Sequence, residues 1–298
     1  PLFIFHCISA VPLFFSGIYD IIKYAKGWAV MKNADNVKWT KAQEHELSCW
    51  SGITAKLKDE NYMKIKSEYW EKTLEEVDFA GFMPDKEVHI LDVGCGPSGI
   101  LINIAKRENA GKFIMTGIDP LMDKYIELNP SLKSLPVNWI HGKFEDHRSD
   151  RKYDIIFCMN AADHCDDLSV FMEKLSGNLK EDGVCCFSVN CHIKDNTARI
   201  WRKHNNILDP MHPYQYTVKE YGEMLSKYFR VSDTRNCSHL VKWIGEKSPA
   251  VVKRGIRNSL RKLHPVTIYK NMIGNRADKN ASNPDGIFAY TIFILRKP

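Results

Sequence analysis

The sequence has few of the features that mark a disulfide-stabilised or zinc-binding protein. It holds nine cysteines among 298 residues, an odd number, with an adjacent pair at Cys185 and Cys186 and no Cys-x-x-Cys motif. Neither a disulfide framework nor a cysteine-based zinc site follows from this usage. We therefore expect a reducing compartment, the cytoplasm, where cysteines in apolar runs pack as small hydrophobic residues.

Repeats and low-complexity segments are also absent. The composition, 44% apolar and 26% charged, gives no indication of disorder. A chain of this length supports one large or two modest domains with a full-sized hydrophobic core.

The amino-terminal segment lacks charge. No Asp, Glu, Lys or Arg occurs from residue 2 to residue 19, and Lys23 and Lys26 follow. Residues 1–30 therefore fit three interpretations: a membrane anchor or truncated signal segment, a packed helix, or upstream sequence that precedes a start at Met31. After them, two helical patterns predict an amino-terminal helical cap over residues 31–86.

Acidic residues are scarce near the carboxyl terminus. Between Arg235 and Lys279 there are 11 Lys and Arg residues against two acids, although the whole chain carries only +6. An amphipathic basic helix is predicted at 248–264, within a basic helical insertion at 236–285. This helix fits three interpretations. It could pack on the surface of the domain, or it could lie on an anionic membrane surface, which would make a cytoplasmic protein peripheral to the membrane. The third and least favoured interpretation is a contact with nucleic-acid phosphates.

The most informative stretch that is present runs from Val88 to Gly99. A short apolar strand leads to Asp92, a turn with Gly94, Gly96 and Gly99 follows, and a helical pattern begins at once. Glycines let the backbone turn sharply and approach a ligand, while the helix directs unpaired N–H groups at it. This pattern predicts a site for a nucleotide-type cofactor.

The next apolar run ends at Asp119, where a carboxylate can accept both hydroxyls of a ribose. Glycine spacing alone would equally fit a nicotinamide-dependent oxidoreductase. Asp92, two residues before the first glycine, is instead well placed for the ammonium of an amino-acid-bearing cofactor. The stretch resembles motif I, Asp/Glu-x-Gly-x-Gly, of the class I S-adenosylmethionine-dependent methyltransferases.

The order of elements supports an α/β fold. Strands are predicted at 88–94, 112–119, 137–142, 153–160 and 183–190, with helices at 98–109, 121–129 and 167–179. A capping box, Thr217 with Glu220, opens a later helix, and a hydrophobic strand at 288–297 ends the chain. The resemblance implies a doubly wound, mostly parallel, seven-stranded Rossmann-like sheet with an antiparallel last strand, within a methyltransferase domain at 87–298.

Ligands of such sheets bind at the carboxyl ends of the strands. The resemblance implies that the cofactor contacts Asp92, Gly94, Gly96, Gly99, Asp119, Met122, Glu145 and Asn160.

Acceptor chemistry is predicted in the loop after the fourth strand. Its run Asn160-x-x-Asp163-His164 resembles the Asn-x-x-Asp-His segment of many small-molecule methyltransferases, especially those of glycan biosynthesis. His164 is the first candidate for a general base, and a polar lid at 191–216 supplies His192 and His212 as alternatives. No metal is expected, because the histidines lack the spacing of metal ligands with cysteine partners.

These patterns predict methyl transfer from S-adenosyl-L-methionine, most readily to oxygen, on a small-molecule, glycan or lipid-linked acceptor. Two alternatives stay open at this point. One is the nicotinamide-dependent oxidoreductase. The other is an RNA methyltransferase, or an RNA- or membrane-binding protein, that acts through the basic insertion.

Overall fold

The computed structural model describes residues 60–82, 87–205, 209, 212–247 and 288–298, together with residues 44, 47 and 48. The apolar segment 1–30 and the basic stretch 248–264 lie outside this described part of the chain. Among the described helices, none combines the length and the apolar character needed to cross a bilayer.

The described residues form one seven-stranded sheet. Its strands are β1 (Val88–Val93), β2 (Phe113–Asp119), β3 (Val137–His141), β4 (Tyr153–Met159), β5 (Leu179–His192), β6 (Arg230–Asn236) and β7 (Phe288–Arg296). Their order is β3-β2-β1-β4-β5-β7-β6. The first five strands pair in parallel, and β7 runs antiparallel to both β5 and β6. The predicted sheet and its antiparallel last strand are confirmed.

Helices cover both faces of this sheet. They are α1 (Glu60–Glu76), α2 (Ile100–Ile104), α3 (Met122–Leu128), α4 (Leu168–Asn178), α5 (Asp195–Lys203), α6 (Val218–Leu225) and α7 (Ser238–Lys247). Successive β1 residues separate two cores: Ile90 packs with residues of α1, α2 and α7, whereas Leu91 packs with residues of α4 and α6. The alternation of a strand between its two faces thus produces the doubly wound arrangement.

Helix α6 begins as predicted from its capping box. The Thr217 hydroxyl accepts a hydrogen bond from the Glu220 N–H, and the Glu220 carboxylate accepts one from the Thr217 N–H. This reciprocal pair satisfies two N–H groups that the helix itself leaves without partners.

Two elements differ in length from the prediction. The helix predicted at 98–109 is the short α2 (Ile100–Ile104), because the polar residues after it have no apolar face to bury and form turns. Strand β5 continues to His192 because its last residues pair with β7. As a result, the lid predicted at 191–216 begins inside the sheet and contains α5, which is anchored by the buried Thr197 and Ala198.

Candidate functional site

The turn between β1 and α2 has the backbone that its glycines predict. Gly94 has φ +68° and Gly96 has φ +57°, both in the left-handed region that side chains disfavour. The N–H groups of Gly94 and Cys95 donate to the Ile118 carbonyl at 2.8 and 3.3 Å. These bonds fix the turn against the neighbouring strand β2.

Asp119 holds the same turn from the end of β2. The Gly96 N–H donates to its Oδ2 atom at 3.1 Å, and the Leu121 N–H donates to its Oδ1 atom at 2.8 Å. Asp119 is buried, and both of its carboxylate oxygens act as hydrogen-bond acceptors. Asp119 therefore shapes the turn in addition to offering acceptors to a ligand.

Asp92 is the most unusual group of the site. Asp92 is 2% exposed, and its Oδ2 atom has no hydrogen-bond partner among the described residues. Burial, followed by the nearby Asp119 charge, raises the pKa of this carboxyl well above its usual range. A buried carboxylate oxygen without a donor fits a cationic ligand group, such as the ammonium of an amino-acid-bearing cofactor.

Gly99 leaves the space for this contact. A Cβ atom at this position would collide with the Cys95 carbonyl oxygen and lie 3.0 Å from Asp92 Oδ2. The third glycine is thus required by close packing at the start of α2.

We expect Gly94→Ala to weaken cofactor binding and to lower the melting temperature. The new methyl group would collide with the Ala161 Cβ atom, and the left-handed backbone adds a cost of about 1 kcal/mol. Differential scanning fluorimetry and calorimetric titration measure the two effects. Gly111→Ala is the matched control, because a Cβ atom there meets nothing within 4 Å. Equal behaviour of the two variants would contradict this role of the turn.

A cavity of about 520 Å³ opens at the carboxyl ends of the strands, a size typical of small-ligand sites. Most of the predicted site residues line it: Asp92, Gly94, Gly96, Gly99, Asp119, Glu145, Asn160, His164 and His212. Residues from several loops, far apart in sequence, therefore meet in one crevice.

Two predicted residues do not line this cavity. Met122 is fully buried, and its sulfur lies 3.7 Å from the Cys95 sulfur, so that Pro120 occupies the cavity wall instead. His192 is 1% exposed, its Nε2 atom lies 2.7 Å from Gln215 Oε1, and burial lowers the pKa of its imidazole. Its position at the end of β5 directs the ring into the core, so the structure does not bring this candidate base to the site.

Glu145 lies at the β3 side of the cavity. Its carboxylate accepts a hydrogen bond from the Asp166 N–H at 3.0 Å, and Lys143 Nζ contacts the Asp166 carboxylate at 2.5 Å. The neighbouring Lys143 is thus engaged with another acid, and both Lys143 and Glu145 border the cavity.

The loop after β4 carries polar side chains and begins with a residue in an uncommon backbone conformation. Asn160 has φ +57°, uncommon for a residue with a side chain, and its Oδ1 atom accepts a hydrogen bond from Asn190 Nδ2 at 2.8 Å. Asp163 is buried, and its Oδ1 atom lies 3.9 Å from His164 Nε2. His164 therefore faces a carboxylate at a distance too long for a hydrogen bond.

His212 has the better-oriented imidazole. Its ring centroid lies 4.4 Å from that of His164, and its Nδ1 atom lies 2.7 Å from Asp209 Oδ1. When a carboxylate accepts a hydrogen bond from the Nδ1–H group of a neutral imidazole, Nε2 is the nitrogen that can take up a proton. Sequence reasoning missed Asp209, although its place three residues before His212 was an available signal.

The same region also brings together potential metal ligands. Asp163, His164 and His212 offer ligand atoms that all lie within 4.8 Å of one another. Sequence spacing did not indicate this group, because His212 is far from Asp163 and His164 in the sequence.

Parts of this chain are similar to known proteins. The ubiquinone biosynthesis O-methyltransferase of Rickettsia felis is 30% identical over 104 residues, which are 34% of this chain and 41% of that protein. This chain thus spans less than half the length of that curated relative.

Two solved structures share the fold. The YcgJ protein of Bacillus subtilis has a TM-score of 0.51 at 17% identity, covering 78% of this chain and 99% of that one. Phosphoethanolamine N-methyltransferase 2 of Haemonchus contortus, solved with S-adenosyl-L-methionine, has a TM-score of 0.51 at 16% identity, covering 74% and 51%. A family model described as a methyltransferase domain matches residues 64–228, more than half of the chain, which therefore belongs to the methyltransferase-domain family.

Proposed function

We propose that this protein transfers a methyl group from S-adenosyl-L-methionine to a hydroxyl oxygen of a small-molecule acceptor. The observation that carries the proposal is the buried Asp92 carboxylate, with one unpartnered oxygen, beside two glycines in left-handed conformation. A nicotinamide dinucleotide has no ammonium group to donate hydrogen bonds to this oxygen, whereas an amino-acid-bearing nucleoside has one.

Each end of the cofactor finds matching groups along the cavity. Asp92 would accept hydrogen bonds from its ammonium, Asp119 from the ribose hydroxyls and Glu145 from the adenine amino group. Gly94, Gly96 and Gly99 allow close approach of the backbone, and Asn160 lies at the methionine end. The predicted contact of Met122 with the cofactor would require the adenine ring to reach past Pro120.

The bound cofactor supplies an activated methyl group on a sulfonium. The protein then has to hold the acceptor oxygen in line, exclude water and remove the hydroxyl proton. We assign the last task to His212, whose Nε2 atom would accept the proton while Asp209 holds Nδ1. His164, first in the sequence prediction, lies against His212 and would orient the acceptor.

The acceptor class rests on several observations. The Rickettsia relative is named as an O-methyltransferase of ubiquinone biosynthesis, which favours oxygen on a small molecule. The Asn160-x-x-Asp163-His164 pattern also favours small-molecule acceptors, and glycan or lipid-linked ones within that class. Contact with a membrane surface stays a prediction that depends on the basic stretch 248–264.

A thermal-shift comparison of cofactors tests the proposal. We expect S-adenosyl-L-methionine and S-adenosylhomocysteine to raise the melting temperature, since a ligand at a hundred times its dissociation constant stabilises by ~2.7 kcal/mol. NAD and NADP, at equal concentrations, should give no shift.

A shift with a nicotinamide cofactor alone would overturn the proposal in favour of an oxidoreductase. RNA binding with a steep salt dependence, without a shift by either sulfur cofactor, would favour a nucleic-acid-binding protein instead.

A further inference from the structure

Lys66 is a cation that the proposed reaction does not use, and it lines the cavity. Its position on α1 places it on one face with Tyr69 and Trp70, three and four residues later, and all three border the cavity. The Lys66 Nζ atom lies 5.1 Å from the Tyr69 ring centroid and 5.0 Å from that of Trp70. The amine is therefore held over two aromatic faces.

The aromatic wall itself is fixed. The Trp70 indole N–H donates to the Ser98 carbonyl at 2.8 Å, which ties α1 to the cofactor turn. The Tyr69 and Trp70 rings meet edge to face at 4.9 Å. A ligand that enters here would find a preformed surface.

No carboxylate neutralises this lysine within the described part of the chain, where none lies within 4 Å of its Nζ atom. Lys72, on the same helix, provides a contrast: its Nζ atom lies over the Trp243 ring at 5.4 Å and is outside the cavity. An unneutralised cation at a cavity wall favours an anionic ligand.

The sheet order separates this region from the nucleoside end. Asp119 and Glu145 follow β2 and β3, at one edge of the sheet. Lys66 lines the same cavity as Tyr290 of β7 and Val241 and Ile244 of α7, and β7 lies on the opposite side of β1 from β2 and β3. Val241 is 44% exposed, a large apolar side chain that a ligand would cover.

From this arrangement we infer that Lys66 forms an acceptor subsite for a carboxylate or phosphate group on an otherwise apolar or aromatic acceptor. Tyr69, Trp70, Val241 and Ile244 contact its apolar body. The inference rests on the proposed function and specifies its substrate class: an acidic, largely apolar molecule that carries a hydroxyl group.

Paired probes test this subsite. We would measure binding of 4-hydroxyphenylacetate and 3-hydroxydecanoate, each as free acid and as methyl ester, by calorimetry on the full chain saturated with S-adenosylhomocysteine. We expect at least one acid to bind ten- to a hundredfold more tightly than its ester, since hydrogen bonds to charged groups are worth about 1.5–3 kcal/mol. Lys66→Met should remove this preference, Lys66→Arg should retain it, and the control Lys72→Met should leave it unchanged.

Two outcomes would overturn the inference. In one, the wild type binds no acid better than its ester. In the other, Lys66→Met weakens S-adenosylhomocysteine binding while the acid preference persists, which would place the cofactor's own carboxylate on this lysine. Failure of the proposed function is separate, because it appears as the absence of any thermal shift with the sulfur cofactors.

The pH dependence of acid binding gives a second measurement. Burial lowers the pKa of Lys66 to about 8, so its charge is present below that pH and is lost above it. Of the groups around it, Tyr69 and Tyr290 have pKa values raised by burial and stay neutral, as does the thiol of Cys95, and Val241 and Ile244 do not titrate. The pKa of Asp92 is also raised, but the cofactor product that saturates the protein occupies the site of this carboxyl in the experiment.

The affinity for the acid probes should therefore fall as pH rises through about 8, and Lys66→Arg should shift this fall to higher pH. An unchanged profile in that variant would count against Lys66.

Discussion

Asp92→Asn is expected to stabilise the ligand-free protein while it weakens cofactor binding. The carboxyl is buried, one of its oxygens has no donor, and Asp119 lies close enough to oppose its charge. Because folding raises the pKa of this acid, the folded state is penalised at every pH above the pKa of the unfolded chain. The neutral amide removes that penalty, and we expect a gain of roughly 0.5–2 kcal/mol in the free energy of unfolding.

The same substitution removes the counter-charge for the cofactor ammonium. A hydrogen bond between charged groups contributes about 1.5–3 kcal/mol, so affinity should fall by about ten- to a hundredfold. Chemical denaturation and calorimetric titration give the two numbers. Wild-type affinity should also rise with pH as Asp92 loses its proton, whereas the variant should lack this dependence.

Asp154→Asn is the matched control, because Asp154 is another acid on a strand of the sheet, half-buried, that lies outside the cavity. Its Oδ2 atom accepts hydrogen bonds from the His89 N–H at 2.8 Å and from Lys180 Nζ at 2.7 Å. Loss of these satisfied contacts should lower stability and leave cofactor affinity unchanged. If Asp92→Asn behaves as this control does, Asp92 has a structural role alone.

The parts of the site that could be predicted from the sequence are those encoded locally. The turn from Asp92 to Gly99 could be predicted because the end of the strand and the glycines that determine its backbone conformation lie within one short stretch of sequence. The position of Asp119 could be predicted for the same reason, since this residue ends an apolar run. Strand positions β1 to β4 followed from runs of apolar residues and agree within one residue at each end.

Side-chain direction and long-range partners could not be predicted in this way. His192 faces the core because β5 extends to pair with β7, a strand nearly a hundred residues later in the chain. His212 lines the cavity and pairs with Asp209, but neither position belongs to a regular sequence period that would predict this. In the sequence, Lys66 is one polar residue of an amphipathic helix. Only the packing of α1 on the glycine turn brings it to the cavity.

His212→Gln is expected to lower kcat by about a hundred- to ten-thousandfold, the contribution typical of a positioned general base. Asp209 Oδ1 lies 2.7 Å from His212 Nδ1, an arrangement that favours the neutral tautomer in which Nε2 accepts the hydroxyl proton. Asp209→Asn should give a smaller loss, because it disturbs the tautomer and orientation but keeps the imidazole. S-adenosylhomocysteine release measures turnover on an acceptor from the acid series.

A comparison of turnover with binding separates this role from a loss of packing. His212→Gln should lower kcat while cofactor affinity and the melting temperature stay the same. His239→Gln is the control, because this histidine pairs with Glu76 on the outer surface of α7 and α1. If His164→Gln carries the larger loss, the base is His164 instead. A third outcome is that a chelator abolishes activity and that His164→Gln and His212→Gln lower kcat equally. In that case Asp163, His164 and His212, whose ligand atoms lie within 4.8 Å of one another, act by binding a metal ion rather than by proton transfer.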